Sequence, residues 1–333
     1  GYTVIPNVLS EEKCNHYIDE MWKWLENLGT GVKRDDPDSW KSKNWPPNIH
    51  GIIQHLRVGQ EQFVWDLRCE PRVIKVFEEL WGTKKLLVSF DAICIMKPPE
   101  LSSKRFYNKN WIHTDQSNRK KGRHCIQGLI TLEDVGKKDG TFIVRKGSHK
   151  FHEELFKRNK VDTPNDWYKL EDKEKEWIEE QGCELTRVTG KKGSMFLWDS
   201  RVFHCNSLPL KGRDKPRFRY VIYVCMTPAK LCNEANYRKK VKAFNEIRMT
   251  NHWPHHVRLF PAKPRTYGQI IPNYNVRQTP PTLTKKGQRL AGLIRYKNTL
   301  FKKFSKDSSQ DDDQHNKKKT IVKKNKKNEN NKK

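Results

Sequence analysis

A chain of 333 residues that is 35% hydrophobic and contains 11 tryptophans has enough apolar side chains for a large core. Its net charge is +28, which favours anionic partners such as nucleic acid or phosphorylated and carboxylated small molecules. No apolar run approaches about 18 residues, so no membrane span is expected. The eight cysteines form no C-x-x-C pair, which favours reduced thiols in an intracellular protein over a disulfide framework.

The first predicted element is a helix over residues 10–28. Ser10 is a favoured N-cap residue, and the acidic side chains of Glu11 and Glu12 suit the positive end of a helix. Six apolar residues then fall on one stripe: Cys14, Tyr17, Ile18, Met21, Leu25 and Leu28. A second helix is predicted to begin at Pro71 and to end before Gly82. Residues 1–85 are therefore predicted to form a helical N-terminal part.

From residue 86 onward the pattern changes to short runs rich in β-branched and aromatic residues, which is typical of strands. The runs are LLVSFDAICIM (86–96), CIQGLITL (125–132), TFIVR (141–145), GSMFLWDS (193–200) and RYVIYVCM (219–226). A mostly charged insert, about 150–182, has helical stretches at best. Strands and helices do not alternate, which argues against a doubly wound parallel sheet. We predict a mainly β fold with α elaboration, with an antiparallel barrel or jelly roll over residues 86–227.

The remainder of the chain has two parts. Residues 228–300 are rich in proline and aromatic residues and are predicted to be an extended segment wrapped on the domain, so that 1–300 is a single domain. Residues 301–333 are predicted to be a disordered Lys/Asn-rich tail, because only three of the residues after 301 are apolar. Twelve lysines and five acidic residues give this tail a net charge of +7, which leaves +21 on residues 1–301. The basic tail has two interpretations: compositional drift, or a nuclear-targeting or nucleic-acid role.

Residues 111–116, WIHTDQ, contain a histidine and an aspartate two positions apart. Residues i and i+2 of a strand point to the same face, so His113 and Asp115 are expected to point together. An imidazole beside a carboxylate suits a metal ion. By itself the motif is a weak signal, because H-x-D also occurs by chance.

A third candidate ligand, His204, lies 89 residues after Asp115 in GSMFLWDSRVFHCNS (193–207). Two histidines and one carboxylate are the ligand set of non-haem Fe(II) oxygenases. This set leaves three coordination positions open, of which a bidentate 2-oxo acid takes two and O2 takes the third. We therefore predict that His113, Asp115 and His204 are metal ligands and catalytic residues.

A 2-oxo acid with a distal carboxylate needs a cation, and PRFRYVIYV (216–224) provides one. Alternation places four residues on one face: Arg217, Arg219, Val221 and Tyr223. An arginine among apolar neighbours is costly without an anion, and a guanidinium binds a carboxylate through two hydrogen bonds. Arg219 is the predicted carboxylate ligand, with Arg217 as the alternative. Gln127 and Thr131 are predicted to line the same pocket if their strand faces the metal.

Together these motifs resemble the phytanoyl-CoA dioxygenase-like family of Fe(II)/2-oxoglutarate-dependent oxygenases over most of residues 1–230. GYTVIPNVLSEEKCNHYIDEMW is similar to the family's opening strand and helix, WIHTDQ to its H-x-D, and IQGLITLEDVGKKDGTFIVRKGSH to its central strand pair. GSMFLWDSRVFHCNS and RFRYVIYV are similar to the distal histidine and arginine motifs. The resemblance implies a double-stranded β-helix (jelly-roll, cupin-like) core with N-terminal helices packed on it. It also implies Fe(II) on His113, Asp115 and His204, and 2-oxoglutarate on Arg219.

The chain departs from the family pattern at a few positions. Asn206 stands where a hydroxyl residue is usual, although its amide could still donate to the co-substrate. Lys146 replaces a proline, and Leu129 stands where the phytanoyl-CoA enzymes have a tryptophan. These differences fall in the co-substrate and substrate pocket, so an acyl-CoA substrate is not implied. Asp115 implies hydroxylation, because halogenating relatives have a small residue there.

We therefore predict a soluble, monomeric Fe(II)- and 2-oxoglutarate-dependent hydroxylase that uses O2 and releases succinate and CO2. Its substrate is predicted to be a small molecule, and the basic composition favours an anionic one. The predicted location is intracellular and cytoplasmic, with the nucleus as the alternative if the tail is a targeting signal. Two alternative functions remain: the same chemistry on nucleic acid, suggested by the charge of +21, and a non-catalytic jelly-roll binding protein. The complete set of candidate ligands argues against the latter.

Overall fold

The computed structural model describes residues 1–102, 106, 111–264, 266 and 272–297. The helices are α1 (Glu11–Asn27), α2 (Gln62–Arg68), α3 (Pro71–Trp81), α4 (His152–Arg158), α5 (Asp172–Glu180), α6 (Glu234–Asn245) and α7 (Lys285–Ala291). The strands are β1 (Tyr2–Ile5), β2 (Ile52–Ile53), β3 (Leu86–Val88), β4 (Ile93–Met96), β5 (His113–Thr114), β6 (Ile126–Thr131), β7 (Thr141–Arg145), β8 (Tyr168–Lys169), β9 (Leu185–Arg187), β10 (Met195–Asp199), β11 (His204–Ser207), β12 (Arg219–Tyr223) and β13 (Met226–Pro228). Contacts group Gly1–Thr299 into one compact unit. The predicted tail, 301–333, lies outside the described residues.

Two antiparallel sheets form the core of the fold. One has the strand order β1-β10-β6-β12-β4-β2 and the other β8-β5-β11-β7-β9, while β13 and β3 form a separate pair. Leu129, Phe196 and Val221 of the first sheet share a buried cluster with Phe142 and Val144 of the second. Alternate residues of both sheets therefore pack face to face, which is the arrangement of a jelly roll. The predicted mainly β class is confirmed.

The N-terminal helices cover the outer face of the six-stranded sheet. Ser10 accepts a hydrogen bond from the Lys13 amide at the start of α1, and Gly82 ends α3 in a left-handed conformation at φ 61°, as the sequence predicts. The apolar stripe of α1 belongs to the same cluster as Ile130 and Ile222 of the sheet. The Trp22 indole also donates to the Tyr220 hydroxyl at 2.8 Å, which fixes α1 on β12.

The charged insert covers the outer face of the five-stranded sheet. It forms α4, β8 and α5, and its apolar residues Phe156, Trp177 and Ile178 pack against Ile143 and Cys205. Helices were predicted here only in stretches, and β8 was not predicted. The short strand matters because it pairs with β5, which carries His113.

The C-terminal extension differs from its prediction. It contains α6 and α7, so the expected extended conformation is wrong over 234–245 and 285–291. The buried stripe of α6 includes Lys240 among Tyr237, Ala243 and Phe244, and this charge obscures the helical pattern in the sequence. Every helix among the described residues is too short or too polar to span a bilayer.

Candidate functional site

The three predicted metal ligands meet at one end of the jelly roll. His113 on β5 is paired directly with His204 on β11, and Asp115 follows β5. One ligand atom from each residue lies within 4.8 Å of the others. The Asp115 carboxylate is 3.2 Å from Nε2 of His204 and 3.7 Å from Nε2 of His113. All three side chains are buried, with exposures of 5–7%.

Both imidazoles are oriented by backbone carbonyls. Nδ1 of His113 is 3.2 Å from the Trp111 oxygen, and Nδ1 of His204 is 2.9 Å from the Val202 oxygen. A carbonyl can only accept, so Nδ1 of each ring donates to it, and Nε2, which faces Asp115, is the atom that can bind a metal. Adjacent ligands bound at about 2.1 Å to one octahedral metal lie about 3 Å apart, which is close to the two distances of 3.2 Å and 3.7 Å from Asp115 to the histidines. The three residues therefore fit a divalent transition metal.

The Asp115 carboxylate is held in its charged form. Burial raises its pKa, but the electrostatic influence of His252 and His113, with close contacts from the two histidines of the site, holds the pKa well below its usual range. Gln127 on β6 donates to Oδ2 of Asp115 at 2.9 Å, and the Asp115 backbone amide donates to the Ser200 carbonyl at 3.0 Å. Gln127, predicted to line the co-substrate pocket, thus contacts a candidate metal ligand.

Arg219 lies on β12, in the middle of the six-stranded sheet, and is 5% exposed. Its guanidinium donates to the Cys94 sulfur at 2.9 Å and to the Asn206 side-chain oxygen at 3.2 Å. The Asn206 amide in turn donates to the Tyr223 hydroxyl at 3.0 Å. Across 1–102, 111–264 and 272–297, no carboxylate forms an ion pair with Arg219. This buried cation has neutral partners only, so the site can accept an anion.

The other predicted co-substrate residues are engaged elsewhere. Arg217 forms an ion pair with Asp139 at 3.2 Å, and its side chain is partly exposed. Thr131 is buried on β6, but its hydroxyl donates to the Glu133 carbonyl at 2.7 Å. Arg219 therefore remains the stronger candidate for binding an anion.

Aromatic rings border the metal group, and none of them was predicted from the sequence. The Trp111 ring stacks on His113 at 4.7 Å and on His50 at 4.7 Å, so three rings form one column. Trp167 is 5.7 Å from the His113 ring and is 51% exposed. Trp167 precedes β8, and only the pairing of β8 with β5 brings it here. Its position depends on a long-range contact that leaves no local signal.

His252, in the segment HWPHH, is a second residue without a predicted role. It interacts electrostatically with both Asp115 and Asp91, and its Nε2 atom is buried without a hydrogen-bond partner among the described residues. Hydrogen bonds between Thr250 and Phe90 hold this segment beside Asp91. The C-terminal extension thus influences the metal group electrostatically, which only the clustering of histidines could have suggested.

Comparison with known proteins agrees with this geometry. The family model described as phytanoyl-CoA dioxygenase (PhyH) matches residues 1–207. The chain belongs to this family. A protein of Aspergillus versicolor named Ava biosynthesis cluster protein O is 30% identical over 263 residues, which are 77% of this chain and 83% of that protein.

Solved structures with more distant sequences are also similar. The carbocyclase SnoK of nogalamycin biosynthesis is 16% identical, with a TM-score of 0.47 over 69% of this chain and 80% of its own. EctD from S. alaskensis, solved with 2-oxoglutarate and 5-hydroxyectoine, is 13% identical, with a TM-score of 0.45 over 85% of this chain and 81% of its own.

Family membership and the buried His-Asp-His group lead to the same chemistry. The chain is an Fe(II)- and 2-oxoglutarate-dependent oxygenase, and the prediction of Fe(II), 2-oxoglutarate and O2 is confirmed.

Proposed function

We propose that the protein hydroxylates a C–H bond of a small organic molecule, with succinate and CO2 as co-products. The observation that carries this proposal is the convergence of His113, Asp115 and His204. On the neighbouring sheet, Arg219 has no counterion in the part of the chain that the structure describes. Bound Fe(II) would supply the activation of O2 coupled to oxidative decarboxylation of 2-oxoglutarate.

In this proposal the protein fixes the ligands before the metal arrives. The carbonyls of Trp111 and Val202 hold the imidazoles in one tautomer, and Gln127 holds the Asp115 carboxylate. Such partners restrict ring rotation and maintain the basicity of the ligand nitrogens. The inter-sheet apolar cluster around Phe142, packed 5.3 Å from the His204 ring, excludes water from this end of the barrel.

Arg219 is proposed to bind the distal carboxylate of 2-oxoglutarate. A guanidinium can replace its two neutral contacts, to Cys94 and Asn206, with two charge-assisted hydrogen bonds to a carboxylate. The Tyr223 hydroxyl, which now accepts from Asn206, can donate its own proton to the same carboxylate. Arg217 is not proposed for this role, because Asp139 already neutralises it.

Asp115 supports hydroxylation over halogenation. Its carboxylate occupies the position that halogenating relatives leave to a small residue, and its low pKa keeps it available as a ligand. In an oxygen-transfer reaction one atom of O2 enters succinate and the other enters the product. Turnover under 18O2 should therefore label both; a product that lacks 18O would contradict hydroxylation.

The substrate is proposed to be a biosynthetic metabolite that contacts Trp167 and His252. The proposal is supported by the similarity to a protein named for a biosynthesis cluster, and by the positions of these two residues beside the metal group. The sequence favoured an anionic substrate, but Lys120 after the H-x-D motif already pairs with Asp166. Screening of metabolite pools for succinate release tests this class, and Trp167→Ala should raise KM for the substrate but not for 2-oxoglutarate.

A further inference from the structure

Two cysteine thiols meet in the interior near the candidate metal site. The Sγ atoms of Cys125 and Cys225 are 3.2 Å apart, and the side chains are 0% and 1% exposed. Trp253 completes a small buried cluster with them. Neither cysteine takes part in the proposed reaction, so their proximity suggests a role of a different kind.

The two cysteines flank the strands that carry site residues. Cys125 immediately precedes β6 and Cys225 follows β12, and these strands pair antiparallel. Gln127 lies two residues after Cys125, and Tyr223 lies two residues before Cys225. Residues two apart on a strand share a face. Cys125 therefore neighbours Gln127, and Cys225 neighbours Tyr223, on the side of the strands that carries the metal and co-substrate site.

Backbone hydrogen bonds connect the thiol pair to a candidate metal ligand. The Ser200 amide donates to the Cys125 carbonyl at 3.1 Å, and the Asp115 amide donates to the Ser200 carbonyl at 3.0 Å. On the other side, the Ser89 amide donates to the Cys225 carbonyl at 3.0 Å. Two consecutive backbone hydrogen bonds through Ser200 therefore connect Cys125 to Asp115, and a movement of Cys125 can be transmitted along them.

We propose that Cys125 and Cys225 are a redox modification site, at which hydrogen peroxide forms a disulfide that weakens co-substrate binding. One sulfur attacks the peroxide O–O bond and becomes a sulfenic acid as the first water leaves. The second thiol displaces the sulfenic oxygen, which leaves as the second water, and the S–S bond forms. The two thiols lose two electrons and two protons, and one peroxide becomes two waters. The link to co-substrate binding rests on the proposed function; the disulfide does not.

Disulfide formation requires movement of both strand ends. A disulfide has an S–S distance of about 2.05 Å, so the sulfur atoms must approach by roughly 1 Å. The movement falls on the segments next to Gln127 and Tyr223, which hold Asp115 and Asn206. Burial raises the pKa of the Cys125 thiol well above its usual value, so oxidation is expected to be slow.

The disulfide is tested by peptide mapping of the full chain. The folded protein is treated with hydrogen peroxide, free thiols are alkylated, and the digest is analysed by mass spectrometry without reduction. We expect a cross-linked Cys125–Cys225 peptide in the wild type and in the control Cys14→Ala, which removes a buried cysteine from α1. Cys125→Ala and Cys225→Ala should lack it. Separate alkylation of both cysteines after this treatment overturns the proposal.

The effect on the site is tested by anaerobic 2-oxoglutarate titration of the Fe(II)-loaded protein before and after oxidation. We expect oxidation to weaken binding at least about fivefold, with recovery on reduction by dithiothreitol and no effect in Cys225→Ala. Unchanged affinity in cross-linked protein overturns the coupling. Failure of the proposed function is distinguishable, because the reduced protein would then also fail to bind 2-oxoglutarate while the cross-link remained detectable.

Discussion

The candidate metal group and Arg219, the proposed co-substrate arginine, come from different sheets, and their side chains are held by different kinds of contact. His113 and His204 come from the five-stranded sheet, and each ring is fixed by a backbone carbonyl. Arg219 comes from the centre of the six-stranded sheet, where its guanidinium donates to the neutral side chains of Cys94 and Asn206. The candidate metal ligands are thus oriented within the protein, whereas no carboxylate among the described residues pairs with the buried charge of Arg219.

This contrast leads to different consequences of mutation in the two regions. Loss of a metal ligand removes a coordination bond that no neighbour can replace. Loss of Arg219 removes charge from a pocket whose neutral donors remain, so binding weakens while chemistry persists at high co-substrate concentration.

The largest expected effect is that of His204→Ala, which should abolish succinate formation. The variant retains only one imidazole and one carboxylate for the metal. The measurement is Fe(II)-dependent release of succinate from 2-oxoglutarate. His124→Ala is the control, because His124 is partly exposed, is not a candidate ligand, and has its Nε2 atom 2.9 Å from the Lys121 carbonyl. Substantial turnover in a folded His204→Ala protein would contradict the ligand assignment.

Arg219→Ala should weaken 2-oxoglutarate binding at least about 30-fold, since truncating one partner of a buried charge pair costs about 2 kcal/mol or more. Arg219→Lys should fall between, because an ammonium cannot bind a carboxylate in the two-pronged manner of a guanidinium. The measurement is the KM for 2-oxoglutarate, with Arg217→Ala as the matched control near wild-type values. An inverted result, with Arg217→Ala the weaker binder, would move the carboxylate role to Arg217.

Gln127→Leu should lower metal affinity or activity by about 10-fold to 100-fold, as expected for loss of a group that orients a ligand. The substitution removes the 2.9 Å hydrogen bond to Asp115 but leaves all three ligands in place. Thr131→Val on the same strand is the control, because its hydroxyl bonds to the Glu133 carbonyl and not to the site. Fe(II) titration compares the metal affinities of the two variants. Equal affinities would show that Gln127 does not support Asp115.

Lys240 shows how a buried cation behaves when it can lose its proton. Burial lowers its pKa to about 7, and its ammonium contacts the Val88 carbonyl and the Phe90 ring. The folded pKa lies below the unfolded value of about 10.4, so between these values the unfolded chain binds more protons and stability rises with pH. Arginine does not lose its proton in proteins, so Arg219 stays charged.

Lys240→Met should therefore stabilise the protein most at or below pH 7, where the wild type buries a charge. Its advantage should shrink as pH rises above 7. Urea unfolding of both proteins at pH 6 and pH 8.5 measures this difference. A stability difference that is the same at both pH values would show that Lys240 keeps its usual pKa.

Local patterns predicted much of the fold. The α1 stripe with its Ser10 cap and the Pro71 to Gly82 boundaries of α3 match the structure. Each of the five apolar runs contains strand, although 86–96 divides into β3 and β4, and 219–226 into β12 and β13. Among the elements that were missed, β8 is very short and α6 is interrupted by Lys240. Short elements form because of tertiary contacts, which a local pattern does not contain.

The candidate site could be predicted from the sequence where its chemistry is restricted to a few residue types. An H-x-D, a distal histidine and an arginine between apolar residues rarely occur together without a metal and an anionic co-substrate, and the structure brings all four side chains to the two facing sheets. The sequence leaves Arg219 and Arg217 as alternatives; the ion pair between Arg217 and Asp139 favours Arg219. The position of Trp167 depends on pairing between distant segments, so no local signal could have identified it; for His252 the only local signal is the clustering of histidines in HWPHH.

An anaerobic titration of the purified protein with Fe(II) and then with 2-oxoglutarate probes the metal site itself. A 2-oxo acid that chelates Fe(II) through both oxygens gives a visible charge-transfer absorption. We predict that this absorption appears only when both are present, saturates at one equivalent of iron, and is lost in His204→Ala. Folded wild-type protein that shows no such absorption at saturating 2-oxoglutarate would contradict the assignment of His113, Asp115 and His204 as the metal site.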